Sequence, residues 1–599
     1  MALGLPTNWR KTAAALAGAV IAVLGFVPWS VAPGPWRDTA MQRLSGALGA
    51  EDFTARKVRF ALLPTPRLEL QDIGFVQRGG ATRAQAPAAL VQLRILPLLK
   101  GVAKAASLSL GEPVIDLAVA ATDERGFRQF AQLASHGGVL QLPASLRALS
   151  KVSIDRGKLN VRYGDTDVAD RYEDLRLRLT PSMASKPLTI VMSAKRNGED
   201  LQASFQGGSL NAIETAQLEP ITFNYWTPGL SVEFDGKGSL SRKTSFAGTL
   251  LVRAGTRAPA PFTPALAGLG IDALPPLELS ALLDFSDRGA NLSDLRVTLD
   301  RDRFDGAGAV RHDGQRWHVS GTLAAGQADL SRLFTALTRI RSADGAWNTR
   351  PIETEALFAA NIDLRVSADQ LTILGQHFGK AALALMARPS RIEATLADSL
   401  YEGGQARLRL VANPGTEGLD IKVNGSLDQV DLGATIANFT RTQRFKGRGN
   451  ASLSLEASGR SVAQFVANAD GRLSAALRDG ELIGINLNHL ANRRAARPEL
   501  LLADALGGRT PFESTTLNAR ITRGLAAPVD GYLQGGRLIG SLTGSVDFAQ
   551  GVTSLSGSVV QMPAEAFVVE PVPVIDFNVS GPISEPRITP NIAAMLKRS

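Results

Sequence analysis

The chain has 599 residues, with 65 Lys or Arg against 56 Asp or Glu, a net charge of +9. At 44 % hydrophobic and 20 % charged it is not a disordered chain, and no block of five like charges marks a nucleic-acid partner. With no cysteine, five histidines and five tyrosines, it excludes a disulfide framework, a thiolate nucleophile and a Cys-held metal, and leaves little for general acid–base chemistry. The chain therefore reads as non-enzymatic and without a cofactor.

From Thr12 to Trp36 no residue is charged, and Arg10-Lys11 precede the stretch. About 20 apolar residues suffice to cross a bilayer as a helix. Trp9 and Trp29 would then lie near the two interfaces, with Arg10 and Lys11 on the cytoplasmic side and the bulk of the chain exported. The competing reading is a cleaved signal peptide with small residues at Ser30 and Ala32, which Pro28 and Pro33 disfavour. Residues 37–49 carry Met41, Leu44 and Leu48 at helical spacing, for a short helix on the membrane or under the first strands.

After residue 55 the apolar period becomes two. Leu68 and Leu70 alternate with Glu69 and Gln71, and Leu175, Leu177 and Leu179 with Arg176 and Arg178. Leu295, Val297 and Leu299 alternate with Arg296 and Thr298, and Leu408 and Leu410 flank Arg409. Such runs predict antiparallel strands with one wet face. About 28 of them follow one another with short Gly, Asn and Asp turns and no strict period. Helical interruptions are expected near 126–135, 261–270, 327–341, 429–440, 459–467 and 487–507.

A twisted open sheet rarely exceeds about ten strands without curling or splitting. Two outcomes stay open on pattern alone: a sheet curled into a groove with an aliphatic lining, or a string of two-layer sandwiches. In the first, the leucines and valine named above are the candidate lining.

Other constellations are weaker. His312 and His318 sit on two strands joined by the Asp313-Gly314 turn, which is a surface hairpin rather than a metal site. Gly306-x-Gly308 and Gly447-x-Gly449 open strands, not helices, so they do not cradle phosphate. Asp300, Asp302 and Asp305 lack EF-hand spacing. Arg493, Arg494 and Arg497 form a basic cluster that could meet anionic headgroups, although a solvated helix face is the commoner reason for one.

The segments ALLPTPRLELQDIGF, ALVQLRILPLLKG and LSLGEPVIDLAV after the apolar stretch resemble the opening of the AsmA family of Gram-negative envelope proteins. Residues 150–180 are similar too. The stretch GRGNASLSLEASGRSVAQFVANADGRLSAALRDGELIGINL resembles that family's C-terminal region, with glycines at 447, 449, 459, 471, 480 and 484. The likeness continues through Pro586, so it covers about 1–180 and 430–590, whereas 181–430 matches only in texture. It implies an inner-membrane anchor, an elongated periplasmic β-groove related to bridge-like lipid transfer proteins, and phospholipid as partner in outer-membrane homeostasis. An alternative role, in outer-membrane protein assembly through exposed β edges, would make assembly components the partners.

The fold expected is mainly β, an elongated curved antiparallel β-groove with few short helices, preceded by one N-terminal transmembrane helix. Its stretches are 1–36 (anchor), 37–180 (N-terminal β region), 181–430 (middle groove region) and 431–599 (C-terminal β region). The chain would be single-pass in the inner membrane.

Overall fold

The alternating runs become strands whose register can be followed from one to the next. The computed structural model describes residues 29–30, 50–77, 82–100, 102, 104–119, 149–163, 169–241, 244–255, 275–286, 289–313, 316–331, 340, 346–352, 361–440, 443–492, 506–563 and 571–591. The chain divides into two compact units, Met1–Phe262 with Ala273–Ser293, and Thr263–Asp272 with Asp294–Ser599.

The first unit opens with β1 (Trp29–Ser30), β2 (Ala50–Ala61), β3 (Arg67–Gln77), β4 (Thr82–Leu93) and α1 (Ile95–Leu99). β5 (Ala105–Gly111), β6 (Val114–Val119), β7 (Lys151–Tyr163), β8 (Ala169–Thr180), β9 (Leu188–Arg196) and β10 (Glu199–Gly207) follow. It continues through α2 (Leu210–Thr215), β11 (Glu219–Thr227), β12 (Leu230–Ser239), β13 (Ser245–Ala254) and β14 (Leu277–Ser286). The unit boundary falls within β15 (Gly289–Leu299).

The second unit contains β16 (Asp302–His312), β17 (Trp317–Asp329), β18 (Asn361–Ile373), β19 (Gln376–Arg388), β20 (Arg391–Tyr401), β21 (Gly404–Gly415) and β22 (Gly418–Asp431). Then come α3 (Leu432–Thr440), β23 (Phe445–Gly459), α4 (Val462–Ala467), β24 (Asp470–Ile485) and α5 (Leu487–Asn492). It ends with β25 (Leu506–Thr522), β26 (Leu525–Gly535), β27 (Leu538–Asp547), β28 (Val552–Gln561), β29 (Val572–Pro582) and β30 (Arg587–Pro590).

Most neighbours pair antiparallel, but the expectation of a purely antiparallel sheet is corrected at two places. β5 and β6, end to end beside β4, both run parallel to β7, and β17 runs parallel to β18. Parallel neighbours need a long crossover, and the chain supplies one between Val119 and Lys151 and another between Asp329 and Asn361. Within each unit the described strands pair in succession as parts of one continuous sheet rather than as separate small sheets.

Bulges recur at matching positions on successive strands. In the first unit Asp72, Glu112, Arg156 and Asp174 all adopt left-handed backbone, near φ 50°, inside or between strands. The register shifts beside Arg156 and Asp174, where Gly157 pairs with Leu175 between two shifts, while Leu70 with Ala89 and Ile73 with Ala86 keep one register across Asp72. In the second unit Lys380, Asp398, Gln429 and Asp479 repeat the device. An extra residue bends its strand and increases its twist, so a line of such residues bends the sheet.

The helices are short and capped by local signals. Ser209 Oγ accepts from Ala212 N at 3.3 Å ahead of α2, and Ser461 Oγ accepts from Gln464 N at 3.3 Å ahead of α4. Asp431 Oδ1 accepts from Ala434 N at 3.0 Å at the start of α3. α3, α4 and α5 lie within the expected helical stretches near 429–440, 459–467 and 487–507. The stretches 126–135 and 261–270 lie outside the described residues, and 327–341 begins as the end of β17. α5 packs Leu487 and Leu490 against Leu538, Val559, Val574 and Ile575.

Among the described residues no helix is long and apolar enough to cross a membrane. Residues 1–28, with Trp9, Arg10 and Lys11, lie outside them, as do 37–49. Trp29, expected at the end of a spanning helix, belongs instead to β1, paired with Phe60. Pro28 ahead of it lacks the amide hydrogen a continuing helix would need.

Candidate functional site

Because side chains alternate between the faces of a strand, the register says which residues share a face across many strands. In the first unit one cross-strand row reads Phe60, Leu68, Val91, Leu108, Val152, Leu179, Ile190, Phe205, Phe223, Phe234, Leu250 and Ala281. Two residues along each strand lies a second: Val58, Leu70, Ala89, Leu110, Ile154, Leu177, Met192, Ala203, Tyr225, Val232, Val252 and Leu279. Neither row contains a charged residue.

The second unit repeats the arrangement. One row runs Leu323, Val366, Leu383, Leu396, Leu408, Gly425, Leu453, Leu473, Ala519, Val529, Gly544, Leu555, Val579 and Ile588. Beside it run Gly321, Leu364, Leu385, Ala394, Leu410, Val423, Leu455, Gly471, Ile521, Ala526 and Val546. These side chains are mostly half-buried rather than sealed, and Leu408 is 44 % exposed.

The opposite face is polar. In the second unit Arg407, Ser426, Ser452, Ser474, Asn518, Asp530, Thr543, Ser556 and Asn578 follow one another across nine strands. Ser452 and Ser474 share a hydrogen bond of 2.7 Å, and Ser454 Oγ donates to Asn424 Oδ1 at 2.9 Å. Glu393 accepts from Arg409 at 2.7 Å and from Arg391 at 3.0 Å, which holds its carboxyl below the usual range. Arg407 bonds Asp398 and, at 3.1 Å, Asp428. In the first unit the polar face carries Ser109, Ser153, Arg178, Ser204, Asn224 and Glu233, with Leu90, Val191 and Leu251 interrupting it.

A concavity of about 1010 Å³ lies over β20–β26, lined by Arg407, Arg409, Arg472 and Arg520, by serines and asparagines, and by Leu396, Leu408, Leu453, Leu473 and Ala519 of the aliphatic row. Pro528 and Asp530 line it whereas Val529 between them does not. It offers guanidinium, hydroxyl and amide groups beside aliphatic surface.

Segment 346–352, within the β17–β18 crossover, reaches the far strands of its unit. Trp347 Nε1 donates to Phe548 O at 2.7 Å, Ile352 N to Arg460 O at 2.7 Å, and Ala463 N to Asn348 O at 2.9 Å. Phe548 packs on Ala519, Ile521, Ala526 and Val529, so this segment borders one end of the aliphatic rows.

The residues singled out from sequence fall as follows. Leu68, Leu70, Leu177, Leu179, Leu408 and Leu410 are members of the apolar rows. Leu175 is buried beside Ile154 and Ala194 on the same face. Val297 and Leu299 pack on Phe304 with Leu323, Val366 and Leu383, and Leu295 is buried. Arg493, Arg494 and Arg497 lie outside the described residues.

His318 Nε2 lies 2.7 Å from Asp313 Oδ2 on the hairpin expected for it. Asp305 is paired with Arg303 and Arg296, whose hydrogen bonds hold its carboxyl below the usual range, and Asp302 accepts from Asp329 N at 2.8 Å. Among the described residues no group of three or more His, Asp or Glu could hold a metal ion. What sequence reading missed is α1, whose apolar side chains are exposed: Leu96 is 77 % and Leu99 78 % accessible.

No curated protein and no solved structure matches the chain. The AsmA family model matches residues 325–530, from β17 into β26. The match includes residues 325–430 of the middle stretch that resembled the family only in texture, and it overlaps the C-terminal resemblance over 430–530. The cross-strand aliphatic row from Val366 to Val529 lies inside it, so over these strands the chain is similar to the AsmA family.

Proposed function

We propose that this chain is a non-enzymatic, membrane-anchored periplasmic protein that carries or conducts phospholipid along its aliphatic sheet face, in the service of the outer membrane. The observation that carries the reading is the continuity of the apolar rows. They cross strand after strand without a charge, while the other face of the same strands is polar. Acyl chains would lie along the rows and headgroups would stay in water at their edge. Each buried CH₂ is worth about 0.8 kcal/mol, so a two-tailed lipid does not cross water unaided at a useful rate. A continuous apolar face lowers that barrier without energy input and gives no direction by itself. The charge-free residues ahead of β1, from Thr12, would supply the anchor in the inner membrane, with Arg10 and Lys11 on the cytoplasmic side.

The test is a photo-crosslinking amino acid placed on the two faces of single strands in the full chain, expressed in a Gram-negative host. Positions 177 and 453 are on the apolar rows, and positions 176 and 452 are their neighbours on the polar face. Phospholipid adducts are expected at 177 and 453 only. Equal adducts on both faces, or none at 177 and 453, would sink the proposal, and protein adducts there would favour the assembly role.

A further inference from the structure

α1 is a helix that buries none of its residues. Ile95, Leu96 and Leu99 are 53 %, 77 % and 78 % exposed, and Val102 beyond it is 48 % exposed. Leu62, in the β2–β3 loop, is 47 % exposed. The two loops lie at one end of the first unit's strands: Arg67 pairs with Gln92, Leu93 N donates to Pro66 O at 2.8 Å, and Arg94 N donates to Lys104 O at 2.8 Å. Five exposed large aliphatic side chains on two adjoining loops form a patch that water does not favour.

Its flank is basic. Arg94, Lys100 and Lys104 are exposed beside it, and residues 73–111 contain no Asp or Glu. Apolar side chains at a tip with lysines at its margin are the chemistry of an anionic bilayer surface: the leucines enter the acyl boundary while the lysines stay at the headgroups. Two features of the chain favour this occupant over a protein. β1 pairs Trp29, which belongs to the charge-free N-terminal stretch, with Phe60 at this same end of the strands. Leu98 of α1 packs on the cluster that contains Phe60, Leu68 and Leu108, so the patch is contiguous with the first aliphatic row.

We infer that the α1 tip, Ile95–Val102 with Leu62, inserts into the surface of a bilayer containing anionic phospholipid and so joins the bilayer interior to the aliphatic face. The inference deepens the lipid-handling reading and rests on it for what the junction passes.

The chain has no cysteine, so single reporters can be placed in the full-length protein. Leu96→Cys and Leu99→Cys, each carrying an environment-sensitive fluorophore, disturb no core because both side chains are exposed. Glu199→Cys, at the β9–β10 hairpin on the other end of the strands, is the aqueous control. In proteoliposomes of phosphatidylcholine with about one third phosphatidylglycerol, the tip labels are expected to emit blue-shifted light and to be quenched by nitroxide-bearing lipid, while the control is not. Lys100→Ala should lower the ratio of inserted to free tip about fivefold, and Lys100→Ala with Lys104→Ala about twenty-fivefold. Tip labels as wet and unquenched as the control overturn the inference. Quenching indifferent to phosphatidylglycerol and to the lysines overturns the anionic part of it. Lipid extracted from the same samples reads the aliphatic face separately: bound lipid with an unquenched tip refutes the tip alone, and a quenched tip with no bound lipid refutes the conduit and leaves the tip standing.

Discussion

Leu408→Asp separates an apolar face that holds lipid from one that only packs on itself. Leu408 stands in the middle of a row, opposite Leu396 on one side and Gly425 on the other, and is 44 % exposed. Complete burial of a leucine is worth about 1.5–3 kcal/mol, so an acyl chain covering the exposed part gains about 0.7–1.3 kcal/mol there. Aspartate removes that gain and sets an ionised carboxylate against the acyl chain, a penalty of up to about 2–3 kcal/mol for a charge facing lipid. Lipid at this point should bind about 3 kcal/mol more weakly, roughly a hundredfold. The fold itself loses only the part of Leu408 already covered by neighbours, about 1–2 kcal/mol. Asn424→Asp adds the same charge to the next strand but on the polar face, where Ser454 Oγ already donates to its side-chain oxygen. The assay is lipid per chain by extraction and native mass spectrometry, with denaturant unfolding of both variants alongside. The reasoning fails if Leu408→Asp keeps its full lipid complement, or if Asn424→Asp loses as much.

Two further outcomes follow from local geometry. Glu393 is held below the ordinary carboxylate range by hydrogen bonds from Arg409 and Arg391, so its ion pairs add stability above the unfolded-state value and lose it as pH falls through the lower folded one. Glu393→Gln should flatten the acid limb of a stability-versus-pH curve by no more than about 1 kcal/mol, as fits a half-exposed pair, and an unchanged limb would show the pairs to be idle. Gly557 faces Phe577 across β28–β29, and a Cβ on it would sit 2.2 Å from the ring's Cζ. Gly557→Ala should cost about 1–3 kcal/mol, with Phe577→Leu recovering part of it in a double-mutant cycle, and additivity of the two changes would refute the steric reading.

Period two in the sequence was enough to place Leu68 with Leu70, and Leu408 with Leu410, on one face, because a half-buried strand has no other way to dispose of them. It was not enough to follow a face along a whole strand. In RLELQDIGFV the apolar set steps from Leu70 to Ile73, both buried, a spacing of three across the left-handed backbone at Asp72. The same step separates Ala368 from Leu371, where Asp369 has no register partner in β19. An acidic residue breaking the alternation mid-strand was the legible sign at Asp72 and Asp369, whereas Arg156, Lys380 and Gln429 carried no such mark. The two parallel pairings left no such sign, since a crossover is only a length of chain until its strands have chosen neighbours. α1 was hidden for the opposite reason: a run of Ile and Leu reads as core, and only the fold reveals that nothing covers it.

The bulge line and the aliphatic rows answer one physical problem. A sheet with one apolar face needs a cover for it, and the described strands belong to one continuous sheet whose row side chains stay mostly half-buried. Bending a strand at such a residue turns the two halves of its face toward each other, which limits exposed apolar area, and the row side chains are mostly half-buried. What can cover that face must be apolar, long and indifferent to sequence. Along a row the environment repeats every strand, about 4.8 Å apart, with Leu, Val or Phe succeeded by another of their kind or by a small residue. An acyl chain displaced by one strand exchanges one set of methyl contacts for a nearly equal set and meets no buried charge. The barrier to sliding is then small compared with the cost of leaving the face for water, and that ratio, rather than any single binding residue, is the property on which conduction along such a sheet would depend.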